Sequence, residues 1–169
     1  TRSGCDVAVV NAMGRVHMPL VDDPFAAISK TLDDLRPRTP LVFVDFHAEA
    51  TSEKLAFGWH VDGRVTAVAG THTHVQTADD QILPGGTAYI TDAGMTGPHD
   101  SIIGVEKEAA LSRFLTGLPS RFDTASGNPK LHGILVEADP DSGRATRITR
   151  LSLTRDDLAA LAGASPITA

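Results

Sequence analysis

Three short apolar runs constrain the fold most: residues 7–10 (Val-Ala-Val-Val), 41–46 (Leu-Val-Phe-Val-Asp-Phe) and 65–69 (Val-Thr-Ala-Val-Ala). Each is bounded by turn formers and rich in β-branched residues, so each predicts a buried strand rather than a helix. Helical patterns fall between them. Asp23-Pro24 predicts an N-cap followed by proline at the first helical position. Phe25, Ile28, Leu32 and Leu35 then recur at helical spacing until Pro37 and Pro40 close the element. Thr51 or Ser52 is the expected cap of a second helix running to about Val61, where Asp62-Gly63 stops it. This alternation predicts a layered α/β sheet, mostly parallel and covered on both faces.

The second half reads differently. Residues 87–91 predict a strand that ends at Asp92, and Gly94, Gly97 and Pro98 predict a loop. A helix is expected over 106–115, and residues 131–138 and 145–153 predict a β-hairpin around Asp139-Pro140-Asp141-Ser142-Gly143. That hairpin is the expected antiparallel edge of the sheet. A short helix over 154–162 precedes a tail expected to fray. No repeat, low-complexity segment or linker interrupts the 169 residues, so a single domain is expected. The chain opens Thr1-Arg2-Ser3 and enters an apolar run almost at once. The expectation is the C-terminal part of one α/β sandwich domain, incomplete at its N-terminus.

Charge narrows the partners. Fifteen Lys and Arg against 21 Asp and Glu give a net charge of −6, with no basic run. That argues against a nucleic-acid backbone, which needs a concentrated positive face. A small phosphate-bearing substrate stays open, because a metal can supply the positive charge. One cysteine, Cys5, fits a reducing compartment, and no apolar run reaches membrane-spanning length, so a cytoplasmic location and no membrane partner are expected.

The candidate chemistry sits where strands end, which is where open α/β sheets bind ligands. His47 closes one strand, and Gly70-Thr71-His72-Thr73-His74 follows another. Two imidazoles at i and i+2 can bind one metal or two adjacent ones; the plain alternative is a pair of histidines on a polar loop. A third strand-end histidine favours metal, with zinc, iron and manganese all suited to such donors. Asp45 or Glu49 could orient an imidazole by accepting its second N–H, and Asp45 could equally serve the backbone alone. Asn11 and Arg15, past the first strand, and Thr73 are candidates to support the site or meet a phosphate, with a plain solvated turn an equal reading for Arg15. His60 reads as structural, and His132 as a hairpin residue. His99 borders the site at most. No Gly-rich phosphate loop and no nucleophilic-serine elbow is present.

Four segments carry a family resemblance: residues 9–16 (Val-Val-Asn-Ala-Met-Gly-Arg-Val), 45–54 (Asp-Phe-His-Ala-Glu-Ala-Thr-Ser-Glu-Lys), 70–77 (Gly-Thr-His-Thr-His-Val-Gln-Thr) and 91–98 (Thr-Asp-Ala-Gly-Met-Thr-Gly-Pro). Together they resemble the YmdB-type metallophosphoesterases, a calcineurin-like family associated with hydrolysis of 2′,3′-cyclic nucleotides. The likeness runs from about Val7 to Leu153. It implies a layered α/β sandwich with a two-metal centre, iron first and manganese or zinc as alternatives. By matching position, His47 and His72 would bind one metal and His74 the other. The family's further ligands, an Asp, a Glu-Asn pair and an Asn-His pair that includes the presumed acid histidine, belong upstream of the matched region. The resemblance therefore implies no catalytic acid in this chain, an inactive isolated fragment, and a phosphodiesterase as its parent. Two rival readings are a metallophosphatase relative of the capsule or polyglutamate-synthesis type and a non-catalytic metal- or phosphate-binding regulatory module.

Overall fold

A computed structural model describes Thr1 and residues 4–163. The chain forms two compact units, Thr1–Gly94 with Ile134–Arg150, and Met95–Gly133 with the chain from Leu151 onward.

In the first unit the order is β1 (Ala8–Met13), α1 (Pro24–Leu35), β2 (Val42–His47), α2 (Thr51–Val61), β3 (Ala67–Thr71), β4 (Gln81–Ile82) and β5 (Ala88–Ile90). The strands form one sheet in the order β1-β2-β3-β5-β4. The first four in that order are parallel, and β4 adds an antiparallel edge against β5. The mixed α/β sheet expected from the sequence is present. Its antiparallel edge is β4, two residues too short to leave a sequence signal, and not the hairpin.

Side chains alternate along β2. Val42, Val44 and Phe46 are fully buried on the face that meets the helices. Ile28 and Leu32 of α1 and Phe57 and Val61 of α2 complete that core, with Phe46 stacked on Phe57 at 3.9 Å between ring centroids. Phe43 points the other way, into a smaller cluster with Ala67, Ala88, Ala145, Val136 and Ile148. Asp45 and His47 share that second face because the side-chain period of a strand is two.

Helix α1 starts as its sequence predicts: the Asp23 side chain accepts the N–H of Phe25, with Pro24 in the first turn. Helix α2 does not. Its N-cap is Ala50, without a side-chain hydrogen bond, and Thr51 is already helical. The expected Thr51 or Ser52 cap is thus corrected; Glu53 and Lys54 turn inward and are 8% and 1% exposed.

The second unit contains β6 (Gly97–Pro98) and α3 (Lys107–Thr116). β7 (Pro129–Ala138) and β8 (Ala145–Thr154) form the predicted hairpin, which joins β6 in a separate three-stranded sheet. α4 (Arg155–Gly163) follows directly. The expected fraying tail lies outside the described residues. Among those described, no helix is long and apolar enough to cross a membrane.

Among the described residues β1 pairs only with β2 and has an open outer side, and Val9 is 73% exposed. An apolar edge strand with free N–H and C=O groups is a template for association. Val9→Lys should lower concentration-dependent light scattering of the isolated chain while its far-ultraviolet circular dichroism stays the same. Unchanged scattering would show that association uses another surface.

Candidate functional site

Parallel register builds the polar cluster. Asn11 pairs with Asp45 across β1 and β2, and His47 pairs with Thr71 across β2 and β3. Partners in a parallel ladder project to the same face, so these four side chains gather at the C-terminal ends of three adjacent strands. Asn11 Nδ2 donates to Asp45 Oδ2 at 2.8 Å, and Thr71 Oγ1 donates to Asp45 Oδ1 at 2.8 Å. His47 Nδ1 lies 3.0 Å from the same hydroxyl.

Gly70 permits the approach: a Cβ there would overlap the carbonyl oxygen of Thr91. The chain then turns at His72, whose φ of 119° is uncommon for a residue with a side chain. The turn brings the His72 ring perpendicular to that of His47, with centroids 4.8 Å apart. His72 Nδ1 stands 3.1 Å from His47 Nε2, and on its other side His72 Nε2 stands 2.7 Å from Glu49 Oε2.

These contacts assign the tautomers. The Thr71 hydroxyl has one proton and gives it to the Asp45 carboxylate, so it can only accept from His47; Nδ1 of His47 therefore carries its proton. Glu49 accepts in the same way from His72 Nε2. In neutral rings the two remaining nitrogens, His47 Nε2 and His72 Nδ1, then present lone pairs to each other across 3.1 Å. That arrangement is repulsive unless a proton or a cation lies between them. Two metal–nitrogen bonds of roughly 2.0–2.1 Å would span this gap at an angle of about 100°, so the pair fits two adjacent ligands of one ion.

The other expected site residues are placed as follows. His74, two residues beyond His72, has a φ of 66°. Among the described residues no group of three or more His, Cys, Asp or Glu side chains stands in metal-holding geometry. The backbone N–H of Thr73 donates to Asp92 Oδ2 at 2.9 Å, while its hydroxyl turns toward Val75. Arg15 sends its guanidinium to Asp23 at 3.6 Å in a half-exposed pair, and its backbone N–H goes to Glu53. His60 packs edge-on against Phe25 and meets Ser29, the structural role expected of it. His99 and His132 contact each other within the second unit, ring centroids 4.4 Å apart.

Two participants, Thr71 and Lys54, escaped the sequence reading, and Asp92 was read only as a residue at a strand end. Thr71 mediates between Asp45 and His47, and Lys54 Nζ forms a 2.8 Å ion pair with Asp92, both side chains 1% exposed. Lys54 did leave a signal: it stands on the inward stripe of α2 with Phe57, Gly58 and Val61, at helical spacing. A lysine on an apolar stripe implies a buried partner.

The fold and cluster define a parallel-sheet α/β protein that gathers imidazoles and carboxylates at its strand ends. The chain belongs to the YmdB-like protein family, whose model matches residues 1–151. It is 51% identical over 156 residues to a 2′,3′-cyclic-nucleotide 2′-phosphodiesterase of Bacillus subtilis, covering 92% of this chain and 59% of that protein. A solved structure of a hypothetical protein from Thermus thermophilus superposes with a TM-score of 0.81 at 45% identity, covering 86% of this chain and 56% of the other. A phosphatase from Mycoplasma pneumoniae gives 0.80 at 37% identity, covering 91% and 55%. The chain thus spans a little over half the length of the relatives it matches.

Asp92 also sets an acid limit on stability. Burial alone would raise its carboxyl, but hydrogen bonds from Lys54 and from the N–H groups of Thr73 and Gly94 prevail and hold it below the ordinary 3.8. A lowered folded value stabilises the native state above the unfolded value, and the contribution is lost as pH falls through the folded one. Urea unfolding from pH 7 to pH 3 should therefore show stability declining below about pH 4. The decline should be shallower in Lys54→Met/Asp92→Leu; equal slopes would assign it to other carboxylates.

Proposed function

We propose that this chain provides the histidine side of a dinuclear metal centre in a phosphodiesterase that hydrolyses 2′,3′-cyclic nucleotides. One observation carries the reading: His47 Nε2 and His72 Nδ1 face each other at 3.1 Å, each ring already committed through its other nitrogen. Family membership and the name of the Bacillus subtilis relative supply the substrate class.

Bound cations, iron in first place and manganese or zinc as alternatives, would supply a water acidified to hydroxide near neutral pH and charge for the phosphoryl oxygens. His47 and His72 would hold one ion, and His74, next but one along the loop, is assigned to the second. Asp45 acts on His47 through Thr71, fixing which nitrogen is free, and Glu49 does the same for His72 directly. Asn11 donates to the other oxygen of Asp45 and helps hold the carboxylate in the orientation that serves Thr71. Neutral imidazoles cannot offset two cations held close together. We therefore assign the bridging anionic ligand and the acid that protonates the leaving alkoxide to a segment outside these 169 residues. Cytoplasmic placement fits the unpaired Cys5.

The test compares the 169-residue chain with the complete gene product. Calorimetric titration of the chain with Zn²⁺ or Mn²⁺ should show one weak site that is lost in His72→Ala. The complete product should bind two metals and open 2′,3′-cyclic AMP, at a rate lowered at least about 100-fold by His72→Ala, the scale at which a metal's contribution is removed. Wild-type metal content and turnover in that variant would sink the assignment.

A further inference from the structure

The histidine loop is held from behind by a charge pair that the proposed chemistry does not itself use. Both His72 and His74 have positive φ, 119° and 66°. Residues with side chains keep such conformations only where their surroundings over-determine them. Here the peptide between the two histidines is the point of control: Thr73 N–H donates to Asp92 Oδ2 at 2.9 Å. Asp92 Oδ1 accepts Gly94 N–H at 2.9 Å, and the Asp92 backbone exchanges hydrogen bonds with Thr77 at both its N–H and its carbonyl. The loop is thereby fastened to the end of the strand beside it.

Lys54 explains why a buried acid can do this. Lys54 Nζ, Thr73 N and Gly94 N all donate to Asp92, so every contact requires an acceptor. A protonated carboxyl would turn one of its oxygens into a donor and meet an N–H head-on. The ammonium of Lys54 keeps the carboxyl ionised and both oxygens free to accept. Lys54 also belongs to α2, and that helix carries Glu53, which takes the N–H groups of Arg15 and Val16 past β1. One helix thus fastens the chain beyond two of the strand ends that form the cluster.

We propose that Lys54 and Asp92 are positioning residues of the metal centre: their buried ion pair fixes the peptide at Thr73 and so aims His72 and His74. This rests on the reading of His47 and His72 as ligands.

The experiment measures Zn²⁺ affinity by equilibrium dialysis for the wild-type chain, His72→Ala and Lys54→Met/Asp92→Leu, beside each protein's thermal midpoint. Replacing both partners of a buried pair with apolar residues is often neutral or stabilising, so the double variant should keep or raise its midpoint. It should nevertheless bind Zn²⁺ about 10- to 100-fold more weakly, the usual consequence of removing support behind a ligand. The downfield amide signals that carboxylate acceptors give Thr73 and Gly94 should also be lost. If the double variant fails to fold, Lys54→Met/Asp92→Asn, which keeps the shape and one acceptor, takes its place with a smaller loss expected. Wild-type affinity in whichever variant folds, with His72→Ala impaired, overturns the positioning role alone. Wild-type affinity in His72→Ala overturns the ligand reading, and the positioning role with it.

Discussion

Strand β2 assigns opposite tasks to its two faces, and the first unit is organised around that assignment. Val42, Val44 and Phe46 are fully buried against both helices, while Asp45 and His47 alternate with them onto the other face. A one-residue slip in register would exchange the two sets, burying a carboxylate and an imidazole among Ile28, Leu32 and Phe57. Isolated ionised groups in an apolar core carry a penalty far above the few kcal/mol by which a domain is stable. The hydrophobic core therefore fixes the register, and the register delivers His47 next to Thr71 and Asp45 next to Asn11. Packing on one face and chemistry on the other are consequences of the same pairing.

A second constraint follows from hydrogen-bond capacity. Each imidazole has two nitrogens, and in the cluster one of each is taken by a group that can only accept there. Asp45 is in turn filled from both sides, by Thr71 and Asn11. On the two neutral imidazoles, the nitrogens left over are His47 Nε2 and His72 Nδ1, which face each other at 3.1 Å. Linked hydrogen bonds of this kind hold one another more firmly than independent contacts would. The network's remaining unsatisfied point is where a cation gains the most.

Much of the fold was legible because the local signals agreed with the final structure. Short apolar strand runs, an Asp-Pro helix start and a Pro-Asp-Ser-Gly hairpin turn all reappear where the sequence puts them. Boundaries moved where pairing outlasted hydrophobicity: β1 continues through Asn11 to Met13, and β3 extends to Thr71. The two-residue strands β4 and β6 exist only through their partners and have no pattern of their own. At the site, the strand-end histidines were legible as candidates, and Asp45 and Glu49 as groups either of which could reach an imidazole. That Asp45 reaches His47 only through Thr71 while Glu49 meets His72 directly was not, since it depends on which residues stand opposite each other across a ladder. The Lys54–Asp92 pair joins residues 38 apart in sequence and was hidden for the same reason.

Strain and support are distributed unevenly along the cluster, and the distribution follows function. His47 sits at the end of a regular strand, held by ladder hydrogen bonds that would form whatever its side chain did. His72 and His74 lie past the end of β3, in backbone conformations that oppose their own side chains. A loop of that kind needs help from outside itself, and the help comes from a fully buried charge pair that a core built for stability alone would replace with hydrocarbon. Keeping the pair makes sense where the position of a peptide matters more than the last increment of stability. The difference between the two histidine positions therefore marks the loop, not the strand, as the part of the site whose geometry had to be separately secured.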